Sequence, residues 1–235
     1  QAIVRAAEEV LAGELPDQFV VDPFQAGAGT SHNMNANEVL ANRASELLGG
    51  CRGSYDLVHP NDHVNMAQST NDVFPTAMRL ACLRQLERLG TVLEGLAASL
   101  RQKGEEFDGI LKSGRTHLQD AVPIRLGQEF EAWAKAIDGN LAGIRRAVPD
   151  LQKLGIGGTA VGTGMNAEAA YIDAVVAGLA AETGFCLVRG DDLVERMQNM
   201  DPFVALSSAL KGLAVNLARI ANDLRLLDSG PRTGL

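Results

Sequence analysis

Seven leucines set the first constraint on this chain: Leu80, Leu83, Leu86, Leu89, Leu93, Leu96 and Leu100 recur at spacings of three and four. That is the period of one face of an α-helix. The pattern predicts a helix over residues 71–106, roughly 50 Å long at 1.5 Å per residue. Pro75 fits its first turn, where a missing N–H costs little. A helix of that length needs partners of similar length to cover its apolar stripe. Residues 126–147 supply one such segment and are expected to continue past Pro149.

The remaining segments follow the same logic. Residues 2–11 read as a helix stopped by Gly13 and Pro16. Asn35 or Asn37 is expected to cap a helix that runs to Leu48 and ends at Gly49-Gly50. Further helices are expected over 167–183, 191–197 and 203–227. Long helices with short connections predict an all-α fold, a bundle of long helices. Aromatic residues make up only 4% of the chain, which favours close helix packing over a sheet rich in Val, Ile, Tyr and Phe.

Charge and cysteine usage remove some function classes. The formal net charge is −8 with no basic run, which argues against nucleic acid as a partner, since phosphate neutralisation dominates that affinity. Cys51, Cys82 and Cys186 are odd in number and form no CxxC pair, so reduced thiols in a cytoplasmic protein are expected. No run of 18 apolar residues and no signal-peptide pattern occurs, and no membrane partner is expected.

Three polar islands interrupt the helical pattern. The first is Gly29-Thr30-Ser31-His32-Asn33-Met34-Asn35-Ala36-Asn37-Glu38. The second is His59-Pro60-Asn61-Asp62-His63, followed by Gln68-Ser69-Thr70-Asn71-Asp72. The third, Gly114-Arg115-Thr116-His117-Leu118-Gln119-Asp120-Ala121-Val122-Pro123, places a hydroxyl, an imidazole, an amide and a carboxylate within five residues. Gly and Pro flank it, so a loop or bend is expected. Each island taken alone has a plainer reading as a helix cap. Together they offer neutral donors from Thr30, Asn33, Ser69, Thr70, Asn71, Thr116 and His117, a set suited to a carboxylate whose negative charge grows during reaction.

Metal and phosphate sites are less well supported. His59 and His63 stand four apart, but Pro60 interrupts a helix through both, and no further zinc ligands accompany them. No metal and no cofactor is expected. The glycines of 155–164 resemble a phosphate loop, yet no Lys follows and no strand is evident before them, so a tight turn is expected.

In this order the islands closely resemble the aspartase/fumarase superfamily. The resemblance rests on QAGAGTSHNMNANE, QSTND and GRTHLQDAVP, with GGTAVGTGMN (157–166) and NDLRLLDSGPR (222–232) in support. It covers nearly the whole chain. It implies a homotetrameric lyase releasing fumarate, a central domain of very long helices, and active sites shared among three subunits. The implied division is 1–68 as the end of an N-terminal domain and 69–235 as the central bundle. The implied partner is a small dicarboxylate.

Four details look more like the branch that eliminates ammonia from L-aspartate than like class II fumarase. Thr70 stands where fumarases carry a second Ser, and Val122 where they carry Thr. Ala26-Gly27-Ala28-Gly29 differs from the fumarase TGSG, and Leu226-Leu227 stands where a Trp is usual. ANRASELLGG and GGTAVGTG look like fumarase, so fumarate hydration remains the alternative. A non-catalytic helical scaffold is the alternative of another class. By motif position, Thr30, Ser69 and Thr70 would donate to the substrate carboxylate, while Asn71, Thr116 and His117 would hold the leaving amine. His59, Asn61 and Asp62 match a secondary anion site of fumarases. His32 departs from the family's small polar residue, where it would narrow the pocket, add charge or point away. The family's serine loop, of the type GSSxMPxKxNP, does not occur in this sequence. A chain ending at Leu235 is therefore expected to be an inactive central piece of a longer protein.

Overall fold

The computed structural model describes residues 1–24 and 27–230. The architecture is all-α, with seven α-helices among the described residues. These are α1 (Ala2–Leu11), α2 (Thr30–Leu47), α3 (Thr70–Glu106), α4 (Leu126–Leu151), α5 (Ala169–Thr183), α6 (Leu193–Gln198) and α7 (Asp201–Leu227). The leucine periodicity of α3 gives a helix of 37 residues, and Pro75 lies in its second turn. Helix α4 runs through Pro149, as its pattern predicts.

The chain packs as two units, residues 1–80 with 152–199, and residues 81–151 with 200–235. Helix α3 contributes to both units, and residues 152–199 belong to the first. In the first unit α1 lies on α2 through Ala6, Ala41 and Ala44, each fully buried. Small side chains allow that close approach, and Ile3, Leu40, Leu47 and Val64 pack around them. Arg43 of α2 binds Glu9 of α1 through two hydrogen bonds, one of them Nη2 to Oε1 at 3.1 Å.

In the second unit α4 packs on α7, joined by an amide bond from Asn216 Nδ2 to Asn140 Oδ1 at 2.8 Å. Phe107, Phe130 and Trp133 form a contiguous aromatic cluster. Leu206, Leu213 and Ile220 of α7 are buried at intervals of seven residues, whereas Val204, Val215 and Leu224 are exposed. Although no uninterrupted run of 18 apolar residues occurs in the sequence, α7 meets the length and mean hydropathy of a membrane span by composition.

Two expectations need correction. Helix α2 begins at Thr30, well before Asn35 and Asn37. Those two asparagines sit inside the helix, and their side chains bond to other segments, Asn35 to the Gln18 carbonyl and Asn37 to Asn65. The third island is not a loop. It forms an antiparallel hairpin of β1 (Leu111–Thr116) and β2 (Gln119–Arg125). His117 and Leu118 make the two-residue turn, with φ of 51° and 59°. A mirror-image hairpin turn needs positive φ at both positions, usually met by Asn-Gly. His and Leu adopt it here at a cost in backbone strain. A bulge sits between Ser113 and Arg115. A Cβ on Gly114 there would lie 2.8 Å from the Val122 carbonyl oxygen, so glycine is required.

Candidate active site

The first two islands meet in the first unit. Gly29 opens α2 with φ of 91°, and a Cβ on it would lie 2.4 Å from Cγ of Phe74. Phe74 also stacks on His32, with ring centroids 5.6 Å apart. The His32 imidazole is therefore packed along an aromatic ring of α3. Ala26, part of the motif Ala26-Gly27-Ala28-Gly29, lies outside the described residues, as do Pro231 and Arg232 of the last matching stretch.

Asn33 in the first turn of α2 meets Thr70 at the start of α3, 37 positions along the chain. Its Nδ2 donates to Thr70 Oγ1 at 2.9 Å and to Asn65 Oδ1 at 3.3 Å. Asn37, one turn along α2, donates to the same Asn65 oxygen at 3.1 Å. Both asparagines are buried. Because Thr70 Oγ1 accepts from Asn33, its own O–H proton remains for another acceptor. Ser69 Oγ accepts from the Asn71 backbone N–H at 3.2 Å, so it caps α3 as the plainer reading of this island expects. Asn71 donates Nδ2 to the Ala160 carbonyl at 2.9 Å, which leaves its Oδ1 as an acceptor for an N–H group. Thr30 Oγ1 donates to the Gly27 carbonyl at 2.8 Å, so serving a substrate requires a hydroxyl rotation.

Asp72 holds the floor beneath these residues. It is 1% exposed and accepts backbone N–H bonds from Ser69 at 2.9 Å, Gly157 at 3.1 Å and Thr159 at 2.9 Å. Burial raises its carboxyl above the ordinary range, against the pull of backbone N–H bonds from Ser69, Thr159, Gly157 and Val73. The glycines of 155–164 therefore form a turn clamped to α3 by a carboxylate. A two-residue strand, β3 (Lys153–Leu154), does precede that turn and pairs in parallel with β4 (Val188–Arg189), contrary to the expectation of no strand. The carboxylate occupies the N–H groups that a phosphate would need.

His59 precedes a single π-helical turn, Pro60–Val64. Its Nδ1 accepts from the backbone N–H groups of Asn61 and Asp62, each at 3.2 Å. His63 Nδ1 in turn accepts from the His59 N–H at 2.8 Å. The His59 imidazole thus caps the π-helical turn. Among the described residues, no three His, Cys, Asp or Glu side chains converge as a metal site.

In the second unit, Thr116 ends β1 and His117 stands at the hairpin turn. His117 and Leu118 line a cavity of about 540 Å³ together with Lys112, Arg115, Trp133 and Arg219. Each cation there has an acidic partner: Lys112 with Glu129 at 2.9 Å, Arg115 with Asp120 at 3.6 Å, and Arg219 with Asp223 at 2.7 Å.

Asn37, Gly157 and Thr159 lie in the matching stretches without being among the candidate site residues, and Asn65 lies outside those stretches; all four take part in the hydrogen bonds of this site. A pair of asparagines at i and i+4 of one helix was the available signal, since that spacing puts both on one face.

A protein-family model described as "Lyase" matches residues 1–235. The chain belongs to the aspartase/fumarase superfamily of lyases. It is 53% identical to an aspartate ammonia-lyase of Bacillus subtilis over its whole length, and 52% identical to a class II fumarate hydratase of Ralstonia nicotianae. The chain spans about half the length of these relatives, 50% and 51% respectively. Among solved structures, a fumarate lyase:delta crystallin of Brucella melitensis, bound to cobalt, superposes with a TM-score of 0.96 at 51% identity, covering 99% of this chain and 51% of that one. A class II fumarase of Schistosoma mansoni superposes with a TM-score of 0.94 at 37% identity, covering 99% of this chain and 52% of that one.

Proposed function

We propose that the full-length protein eliminates ammonia from L-aspartate to give fumarate. The observation carrying this reading is the Asn33–Thr70 bond at 2.9 Å, which leaves a hydroxyl proton at the start of α3 for a substrate carboxylate. In the reaction a base removes a proton from the carbon beside the β-carboxylate. The electron pair moves into that carboxylate as an enediolate, then returns to form the carbon–carbon double bond as the C–N bond breaks. The amine leaves with its bonding pair, as ammonium once protonated.

Thr70, Ser69 and Thr30 act on the enediolate, where charge develops and preorganised donors lower the barrier. Asn71 Oδ1, Thr116 and His117 hold the amine until it departs. The protein works as a cytoplasmic homotetramer, with the hairpin of one subunit serving a site completed by others. No residue of this chain is assigned as the base.

A second reading, hydration of fumarate to L-malate, is favoured by the Ralstonia and Schistosoma relatives. In that case the same donors serve an enediolate and His117 assists transfer of a hydroxyl proton, a role suited to imidazole near neutral pH. The experiment is fumarate release from L-aspartate by the full-length protein and by Thr70→Val. Loss of one such donor lowers kcat by about 10²–10³-fold. An unchanged kcat in Thr70→Val removes this hydroxyl from the mechanism.

A further inference from the structure

The side chain of Asn65 belongs to none of the three motifs, yet it lies at the centre of the hydrogen bonds that join the first two. Its Nδ2 donates to the Gln68 carbonyl at 3.4 Å, and its Oδ1 accepts from Asn33 at 3.3 Å and Asn37 at 3.1 Å. A backbone carbonyl can only accept. The Asn65 amide must therefore turn its NH2 group towards Gln68, which leaves its oxygen facing α2. That oxygen has two lone pairs, and the two α2 asparagines use both.

This fixes the polarity of the next amide. Asn33 must present NH2 to Asn65, since the reverse would set two carbonyl oxygens against each other. The second N–H of the same NH2 group then reaches Thr70 Oγ1 at 2.9 Å. Thr70 is held as an acceptor towards Asn33, and its proton is released for the substrate. Were the Asn33 amide inverted, Thr70 would donate to the Asn33 oxygen and its proton would be lost to the reaction.

We propose that Asn65 is a positioning residue that transmits the polarity of the Gln68 carbonyl through Asn33 to Thr70, and so keeps Thr70 a donor. The inference rests on the reading of Thr70 as a donor to substrate. It requires an acceptor at position 65, and nothing else of that side chain.

The test measures kcat and KM for fumarate release by the full-length protein in four forms: Asn65→Ala, Asn65→Asp, Thr70→Val and the double variant Asn65→Ala/Thr70→Val. A carboxylate only accepts, so Asn65→Asp preserves the polarity, and its kcat is expected within about threefold of the parent. Its added charge disfavours an anionic substrate and is read as a raised KM. Asn65→Ala frees Asn33 to invert, and its kcat is expected to fall by about 10–10²-fold, a fraction of the loss on deleting an oxyanion donor. In the Thr70→Val background, Asn65→Ala is expected to have no further effect, because it acts only through that hydroxyl.

Three results overturn the proposal: an Asn65→Ala kcat equal to the parent's, an Asn65→Asp loss as large as that of Asn65→Ala, or additive losses in the double variant. If Asn65→Ala does not fold, Asn65→Asp decides by whether its kcat stays near the parent or falls to that of Thr70→Val. An unaltered kcat in Thr70→Val sinks both this inference and the donor role of Thr70. A damaged Thr70→Val beside a silent Asn65→Ala sinks the relay alone.

Discussion

Replacing Asp72 by alanine is the perturbation whose cost can be worked most fully from the structure. The carboxylate is 1% exposed and accepts three backbone N–H bonds, from Ser69 at 2.9 Å, Gly157 at 3.1 Å and Thr159 at 2.9 Å. Gly157 and Thr159 are buried, whereas Ser69 is half-buried and can turn to water. A buried donor left without a partner costs about 1–3 kcal/mol, so the two in the glycine turn put the gross loss at about 2–6 kcal/mol. Removing a buried carboxyl also removes its desolvation cost, which is large enough to raise its pKa. The net expectation for Asp72→Ala is a loss of about 2–4 kcal/mol. Urea unfolding measures the total. Amide hydrogen exchange locates it, with faster exchange expected at Gly157 and Thr159 and little change in α1. A loss below about 1 kcal/mol with unchanged exchange at both amides refutes the reasoning.

Other expectations follow from single features. Because burial holds the Asp72 carboxyl above its ordinary 3.8, the native state binds that proton more tightly than the unfolded state. The parent's stability relative to Asp72→Asn should therefore decline as pH rises from 3.8 through the native value and then level off, as read from urea midpoints across pH. Gly29→Ala meets both a φ of 91° and the Phe74 ring 2.4 Å away, and should lower the unfolding midpoint and displace the His32–Phe74 stack, visible in near-ultraviolet dichroism. Leu118→Gly relieves a φ of 59° and should stabilise the chain by about 1 kcal/mol in the same unfolding assay. His117→Ala in the full-length protein should lower kcat for fumarate release; full activity would remove His117 from the site.

The helices were legible because their apolar residues repeat with the helical period, and α3 shows this most plainly. The start of α2 was not, since Asn35 and Asn37 have the composition of caps while serving as cross-links to other segments. Its true start depends on Gly29 in the left-handed region, packed under a phenylalanine 45 positions away in sequence. The hairpin was hidden for a related reason. Gly114 and Pro123 look like breakers, and His117-Leu118 has none of the Asn-Gly chemistry that signals a two-residue turn. The motifs carried the candidate residues Thr30, Asn33, Ser69, Thr70, Asn71, Thr116 and His117. Asn65 stands in a stretch that reads as irregular polar chain, and its role exists only once α2 is folded beside it. The clamp of Asp72 on Gly157 and Thr159 is likewise a contact across more than eighty residues, which no local pattern carries.

The proposed reaction expels an amine, not a hydroxyl. Its most direct test is the steady-state kcat/KM of the full-length protein for L-aspartate and for L-malate, both followed as fumarate. With an amine as leaving group, L-aspartate is expected to be the better substrate by at least about 10²-fold, since donors and acceptors placed for one leaving group are left unpaired by the other. Turnover of L-malate with none of L-aspartate contradicts it.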